Sequence, residues 1–241
     1  MIELKELQCA FNGRVILENV SLKIDSHISV LGANGSGKST LAKAICDLVA
    51  FSGTVFIAGK KTQEYTLNER AKLLSYIPAK LEIHDPYISV EEFVLLGRFA
   101  HKKSLFDYSD KDKNITLQTL EFLNIVHLKE NPVSSLSSGE QQLVLIAQAL
   151  TQQSKIIIFD EPTANLDPHN AKIIAQHIKG LKEWHQIILI THDLHLACYV
   201  DSPVVFIKDK TAAFYEKEFF DDARLEELYG VAFESLAVKY V

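Results

Sequence analysis

The stretch 27–40, HISVLGANGSGKST, decides how the rest of the chain is read. Its first six residues, HISVLG, are a short apolar run of strand type. Gly32, Ala33, Asn34, Gly35, Ser36, Gly37, Lys38 and Ser39 then fit the pattern G-x-x-x-x-G-K-[ST], and a helical pattern runs on from about Lys38 to Val49. A strand feeding a glycine turn that opens a helix aims free backbone N–H groups forward, which makes an anion site. The glycines let those amides wrap phosphates. Lys38 is expected to reach the β- and γ-phosphates of a nucleotide and the Ser39 hydroxyl to bind Mg²⁺, with Thr40 beside it. A chance lysine in a glycine turn would lack the flanking strand and helix.

The bulk composition is that of a globular chain. It has 241 residues, 47% hydrophobic and 23% charged, enough for one domain carrying a lobe. The formal charge of -6 argues against broad nucleic-acid binding, which rests on Lys and Arg. Cys9, Cys46 and Cys198 are odd in number and form no CxxC pair, so a reducing cytoplasm fits better than a disulfide framework. MIELKELQCAF alternates like a strand and lacks a signal peptide's apolar block. No apolar run approaches the roughly 20 residues of a membrane span. At a membrane, another chain would have to hold this one.

Strands are expected at 2–11 and 14–24 around the turn Asn12-Gly13, and at 53–59. Residues 67–74 read as helix and 75–78 as extended before Pro78. A capping box at Ser89–Glu92 opens a helix to 99, and Ser109–Asp112 opens a second, to about Val126. SSLSSGEQQLVLIAQAL (134–150) opens a third, with Leu143, Val144, Ile146, Ala147 and Leu150 on one face. Strands at 155–160 and 186–191 flank a helix at 168–184. Strands near 203–208 and 212–215 and a helix at 221–229, ending at Gly230, complete the chain. This alternation predicts an α/β fold with a mostly parallel sheet, antiparallel N-terminal strands and an inserted helical lobe. The expected division is a core of 1–79 and 151–216, a helical subdomain at 80–150, and a C-terminal helix and tail at 217–241.

Further residues extend the chemistry. IIIFDE (156–161) is an apolar strand ending in two carboxylates. Acidic strand ends are common; behind a phosphate loop, Asp160 is expected near the Mg²⁺ and Glu161 to orient or deprotonate water. Thr191-His192-Asp193 ends the next strand. There His192 could meet a γ-phosphate or be a plain solvated histidine. Phe11 could stack on adenine, or join Leu7 and Cys9 on a core face. The serines and glycine that open the stretch 134–150 make a second anion-facing helix start, about a hundred residues from the first.

Taken in order, the phosphate loop, Leu136-Ser137-Ser138-Gly139-Glu140, the Asp-Glu strand, Asn165-Leu166-Asp167 and Thr191-His192 resemble the ATP-binding cassette (ABC) ATPase family. The resemblance covers almost the whole chain. It implies an ATP hydrolase in which Lys38, Glu161 and His192 are catalytic. Phe11, Gly32, Asn34, Gly35, Ser36, Gly37, Lys38, Ser39, Thr40, Ser137, Gly139, Glu140 and Asp167 would hold nucleotide, and Ser39 and Asp160 Mg²⁺. It also answers why there are two anion sites. Cassettes of this family dimerise head to tail, so each signature, here 136–140, caps the ATP on its partner's loop, with Asp167 crossing the interface. A homodimer beneath integral membrane permease subunits is implied, on the cytoplasmic face, with a substrate-binding protein involved indirectly.

Ser89–Arg98 with His101, and Glu226–Val231, resemble the ATPase subunits of iron–siderophore, haem and cobalamin importers. Two departures stand out. Ser138 and Glu140 replace a glycine and a glutamine of the signature. After Tyr76-Ile77-Pro78, where the family usually has a glutamine facing the Mg²⁺ and water, stands Ala79, with neither donor nor acceptor; no Gln occurs between Gln63 and Gln118. His101, Lys102, Lys103, Lys111 and Lys113 form a mildly basic face, either solvated or facing permease or lipid. A soluble cassette acting away from transport remains an alternative, as does, more distantly, a P-loop kinase or GTPase-like switch.

Overall fold

The computed structural model describes residues 1–102, 108–216, 219–230 and 240. Lys103, Val231 and most of the expected tail lie outside the described residues.

Two sheets organise the chain. The first is antiparallel, in the order β2-β1-β4-β5, from β1 (Ile2–Phe11), β2 (Arg14–Ile24), β4 (Ser52–Ile57) and β5 (Lys60–Lys61). The second runs β10-β9-β3-β8-β7-β6, from β3 (Ile28–Gly32), β6 (Leu74–Ile77), β7 (Ile156–Asp160), β8 (Gln186–Ile190), β9 (Val204–Lys208) and β10 (Thr211–Tyr215). Within it β3, β6, β7, β8 and β9 are parallel, and only β10 is antiparallel. β3 and β7 are buried at every residue, as strands covered on both faces must be.

The helices are α1 (Lys38–Ile45), α2 (Leu67–Ala71), α3 (Val90–Leu95), α4 (Asp110–Phe122), α5 (Ser138–Thr151), α6 (Pro168–Leu181), α7 (Leu194–Val200) and α8 (Asp222–Tyr229). The expected capping box forms at Ser89, and Ser109 and Ser137 close capping boxes of their own. Gly230 ends α8 at φ 72°. Several expected helices stop early. The first ends at Ile45 rather than Val49, and the expected 67–74 helix yields at Leu74, which joins β6. The 89–99 helix tightens into a 3-10 turn over Leu96–His101. α7 was not expected: seven residues are too few for a clear helical period.

α5 is more enclosed than its expected single face. Leu145 and Ala149 are buried with Val144, Ile146 and Ala147, whereas Leu143 and Leu150 are only partly so. The reason is position. α5 packs against α3 and α4 of the lobe and also against β6 and α6. The core around it is continuous from Val90, Val94 and Leu120 of the lobe to Ile157 and Phe159 of the sheet.

Gly97 and Arg98 lock the lobe. A Cβ on Gly97 would stand 2.2 Å from the Gln148 carbonyl oxygen, so only glycine lets the turn after α3 touch α5. Arg98 is buried. Its Nε lies 2.9 Å from Asp112 Oδ1, and its Nη1 donates to the Thr151 carbonyl (2.7 Å) and to Gln153 Oε1 (2.9 Å). His101 Nε2 meets the Gln152 carbonyl at 2.9 Å.

Candidate functional site: a phosphate loop at the strand ends

The C-terminal ends of β3, β8 and β7 lie side by side and open toward one place, where open α/β sheets bind ligands. β3 delivers Gly32, where a Cβ would lie 2.5 Å from the Ile207 carbonyl oxygen. Gly35 and Gly37 take φ of +76° and +107°, which a side chain would resist. Gly37 is the N-cap of α1 and supplies no side-chain cap, so the first amides of α1 stay open to an anion. Ala33, Asn34 and Gly35 are exposed at the loop's tip, and Thr40 is half-buried in the first turn of α1.

Lys38 is 6% exposed and folds back across the loop, donating from Nζ to the carbonyls of Gly32 (3.0 Å) and Ala33 (3.1 Å). Burial lowers its pKa, while the charges of Glu161 and Asp160 pull the other way. Glu161 Oε1 lies 3.8 Å from Nζ. Ser39 Oγ donates to Asp160 Oδ1 at 2.9 Å, joining the start of α1 to the end of β7. Tyr76 of β6 donates from Oη to Asp160 Oδ2 at 2.7 Å.

Glu161 follows Asp160 with φ +50°, a left-handed conformation that turns its side chain away from its neighbour's. Its Oε2 receives the Thr191 hydroxyl (3.4 Å) and the His192 amide (3.3 Å), and meets His192 Nδ1 at 2.8 Å. The imidazole therefore faces the carboxylate.

The set fits Mg-nucleotide. The Ser36 Oγ is buried in the loop without a hydrogen-bond partner, an orphaned donor that a phosphate oxygen would satisfy. Ser39 and Asp160 form a hydroxyl–carboxylate pair of the hard-oxygen kind that Mg²⁺ takes.

Phe11 is 65% exposed, so it does not share the core with Leu7 and Cys9, which are buried. The register of β1 shifts between Cys9 and Ala10, which breaks the alternation, and among the described residues nothing covers Phe11 at the strand's end.

The second anion-facing start behaves differently. Ser137 caps α5, yet its hydroxyl donates to Glu140 Oε2 at 2.6 Å, as does its amide at 2.8 Å. These bonds hold the Glu140 carboxyl below its usual range. A Cβ on Gly139 would lie 2.5 Å from the Asn170 side chain, and Asn170 donates to Asp167 Oδ2 at 2.5 Å. The signature and the Asn-Leu-Asp turn thus meet within one chain. Among the described residues no hydrogen bond or ion pair joins Ser137, Gly139, Glu140 or Asp167 to the Lys38–Glu161 group.

Sequence reasoning missed two contributors. Tyr76 carries no motif and is found only by its strand pairing. Tyr240 donates to Asp193 Oδ2 at 2.6 Å and receives the Thr163 hydroxyl, bridging the turns after β8 and β7.

A glycine loop at the end of a parallel strand, with a paired hydroxyl and carboxylate beyond it, defines a P-loop nucleotide-binding protein. The family model for ABC transporters matches residues 17–164, and the chain belongs to that family. It is the ATP-binding, ATP-hydrolysing subunit of such a transporter. An achromobactin transport ATP-binding protein of Dickeya dadantii is 30% identical over 234 residues, covering 94% of this chain and 87% of that one. A manganese transport system ATP-binding protein of Listeria monocytogenes is 30% identical over 237 residues, covering 96% and 97%. Among solved structures, the bacterial ABC transporter cassette MJ0796, described as dimeric, is 27% identical with a TM-score of 0.78, covering 90% of this chain and 98% of that one. Among the described residues no helix is long and apolar enough to cross a membrane.

Proposed function

We propose that this cassette energises uptake of a metal chelate, of the iron–siderophore, haem or cobalamin kind, through a separate permease. The observation that carries the ATPase part is the convergence of Lys38, Ser39, Asp160, Glu161 and His192 on three adjacent strand ends. The relative named for achromobactin transport supports the cargo class. Manganese is the second reading, favoured by a relative of nearly equal coverage.

In this reading the loop amides and Lys38 hold the β- and γ-phosphates, and Phe11 stacks on the adenine. Ser39 and Asp160 hold Mg²⁺, which when bound neutralises charge on the phosphate oxygens. Glu161 takes the proton of the attacking water, and His192, already on that carboxylate, keeps it aimed. A second copy, docked head to tail, would bring Ser137 and Gly139 to the γ-phosphate and Asp167 across the interface. ATP binding would then close the dimer and hydrolysis release it.

The cassette would sit on the cytoplasmic face, held by the permease, with a substrate-binding protein choosing cargo outside. We divide the chain into a nucleotide core at 1–79 and 151–216, a helical subdomain at 80–150 and a C-terminal segment from 217. Exposed Tyr87, Leu96 and Phe99 support a permease surface on the lobe. Ser89–Arg98 acts there as packing, through Gly97 and Arg98, rather than as a cargo contact. The test is extraction of the native membrane in mild detergent, followed by uptake assays on the recovered complex. A co-purified multi-span permease carrying a ferric siderophore, haem or cobalamin is expected. Recovery only as a soluble protein, or uptake of free Mn²⁺ alone, would overturn the reading.

A further inference from the structure

Asp160 is 2% exposed, and both of its carboxylate oxygens are already engaged. Ser39 donates to one and Tyr76 to the other, at 2.9 and 2.7 Å. The Tyr76 hydroxyl comes from the neighbouring strand. β6 pairs with β7 in parallel register, Tyr76 opposite Ile158 and Ile77 opposite Phe159. The phenol therefore reaches along the sheet toward the end of β7. Three residues later the chain presents Ala79, exposed and without polar side-chain atoms. Among the described side chains of β6 and the two residues beyond it, Tyr76 is the one bonded to this carboxylate.

A carboxylate bound at one oxygen can still swing. Held at both, it keeps one rotamer before any cation arrives, so less freedom is lost on binding. We propose that Tyr76 is a positioning residue for the metal-holding carboxylate, fixing Asp160 through Oδ2 so that Ser39 and Asp160 present one ready-made Mg²⁺ site. The proposal rests on the reading that Asp160 holds Mg²⁺. Because Tyr76 rides on β6, whose end leads through Pro78 and Ala79 into the segment before the lobe, it also ties that strand end directly to the metal site.

Tyr76→Phe keeps the ring and removes only the hydroxyl. Binding of a fluorescent ATP analogue to the purified full chain is titrated with Mg²⁺, and repeated in EDTA. The expected result is a Mg²⁺ midpoint raised about tenfold, with affinity in EDTA and the melting temperature unchanged. Mn²⁺ binding followed by electron paramagnetic resonance in the presence of ATP should weaken in parallel. An unchanged midpoint would overturn the proposal, as would an equal loss of affinity with and without Mg²⁺, which marks a merely structural tyrosine. Asp160→Asn is measured beside it. If that variant also keeps the wild-type Mg²⁺ midpoint, the metal reading of Asp160 fails rather than the role of Tyr76 alone.

Discussion

His192 Nδ1 lies 2.8 Å from Glu161 Oε2, and the His192 amide points at the same oxygen. The second residue after β8 thus holds the residue after β7, and Lys38 faces the other carboxylate oxygen. His192 tethers one oxygen of the base, and the second would be left to water once bound phosphate draws Lys38 toward itself. Glu161→Gln is expected to lower phosphate release by about a hundredfold or more while leaving ATP binding intact. Light scattering should then find an ATP-dependent dimer. A variant that stays monomeric in saturating Mg-ATP would count against the head-to-tail arrangement.

Phe11 is 65% exposed and packs on no side chain among the described residues, so its removal should be felt by nucleotide alone. Phe11→Ala is expected to raise KM for ATP about tenfold with little change in kcat, as for the loss of one aromatic–base stack. Phe11→Trp should restore it. Equal KM values would return Phe11 to an idle surface position.

Glu140 keeps the Ser137 hydroxyl for itself and places a negative charge where a partner's γ-phosphate would arrive. Glu140→Gln is expected to strengthen the ATP-bound dimer several-fold, since one screened surface charge is worth about 1 kcal/mol. Sedimentation at two salt concentrations checks this, and the gain should shrink at the higher one.

The Arg98–Asp112 pair is buried between α3, α4 and α5. Asp112→Ala strands the guanidinium and is expected to cost about 3 kcal/mol in denaturant unfolding. Burial pushes the Asp112 carboxyl up, but the bonds from Ser109 and Arg98 outweigh it and hold the carboxyl below its ordinary range. The folded pKa is depressed, so this stability is present above the unfolded pKa, near about 4, and is lost as pH falls further. Wild type should therefore lose more stability than Asp112→Asn between about pH 4 and pH 2. Parallel acid curves would exclude that linkage.

Ala79 follows β6 without a polar group. Ala79→Gln is expected to raise ATP turnover on the order of tenfold, by adding a contact that orients water. Unchanged turnover, and unchanged stimulation by the permease, would mean that the site is already complete without it.

Much of this was legible in the chain itself. HISVLGANGSGKST fixes a strand, a phosphate loop and a helix because each step is local: a short apolar run, glycine φ values and an open helix start. The three capping boxes formed where Ser and an acid stand three apart, again a local signal. The order of the motifs carried the family. Helix lengths were less legible. Leu74 looks helical beside Arg70 but pairs with Ile156, and that pairing lies over eighty residues away.

The sequence by itself determined the parallel α/β plan, the phosphate loop and the acids at the end of β7, since these depend on residues adjacent along the backbone. Only the tertiary structure decided which side chains meet. The strand order β3-β8-β7-β6 brings Ser39 and Tyr76 onto opposite oxygens of Asp160, and His192 onto Glu161. The end of β1 leaves Phe11 uncovered, and the approach of α5 makes Gly97 necessary. Those contacts join segments far apart in the chain, and no local pattern encodes a neighbour that only the sheet supplies.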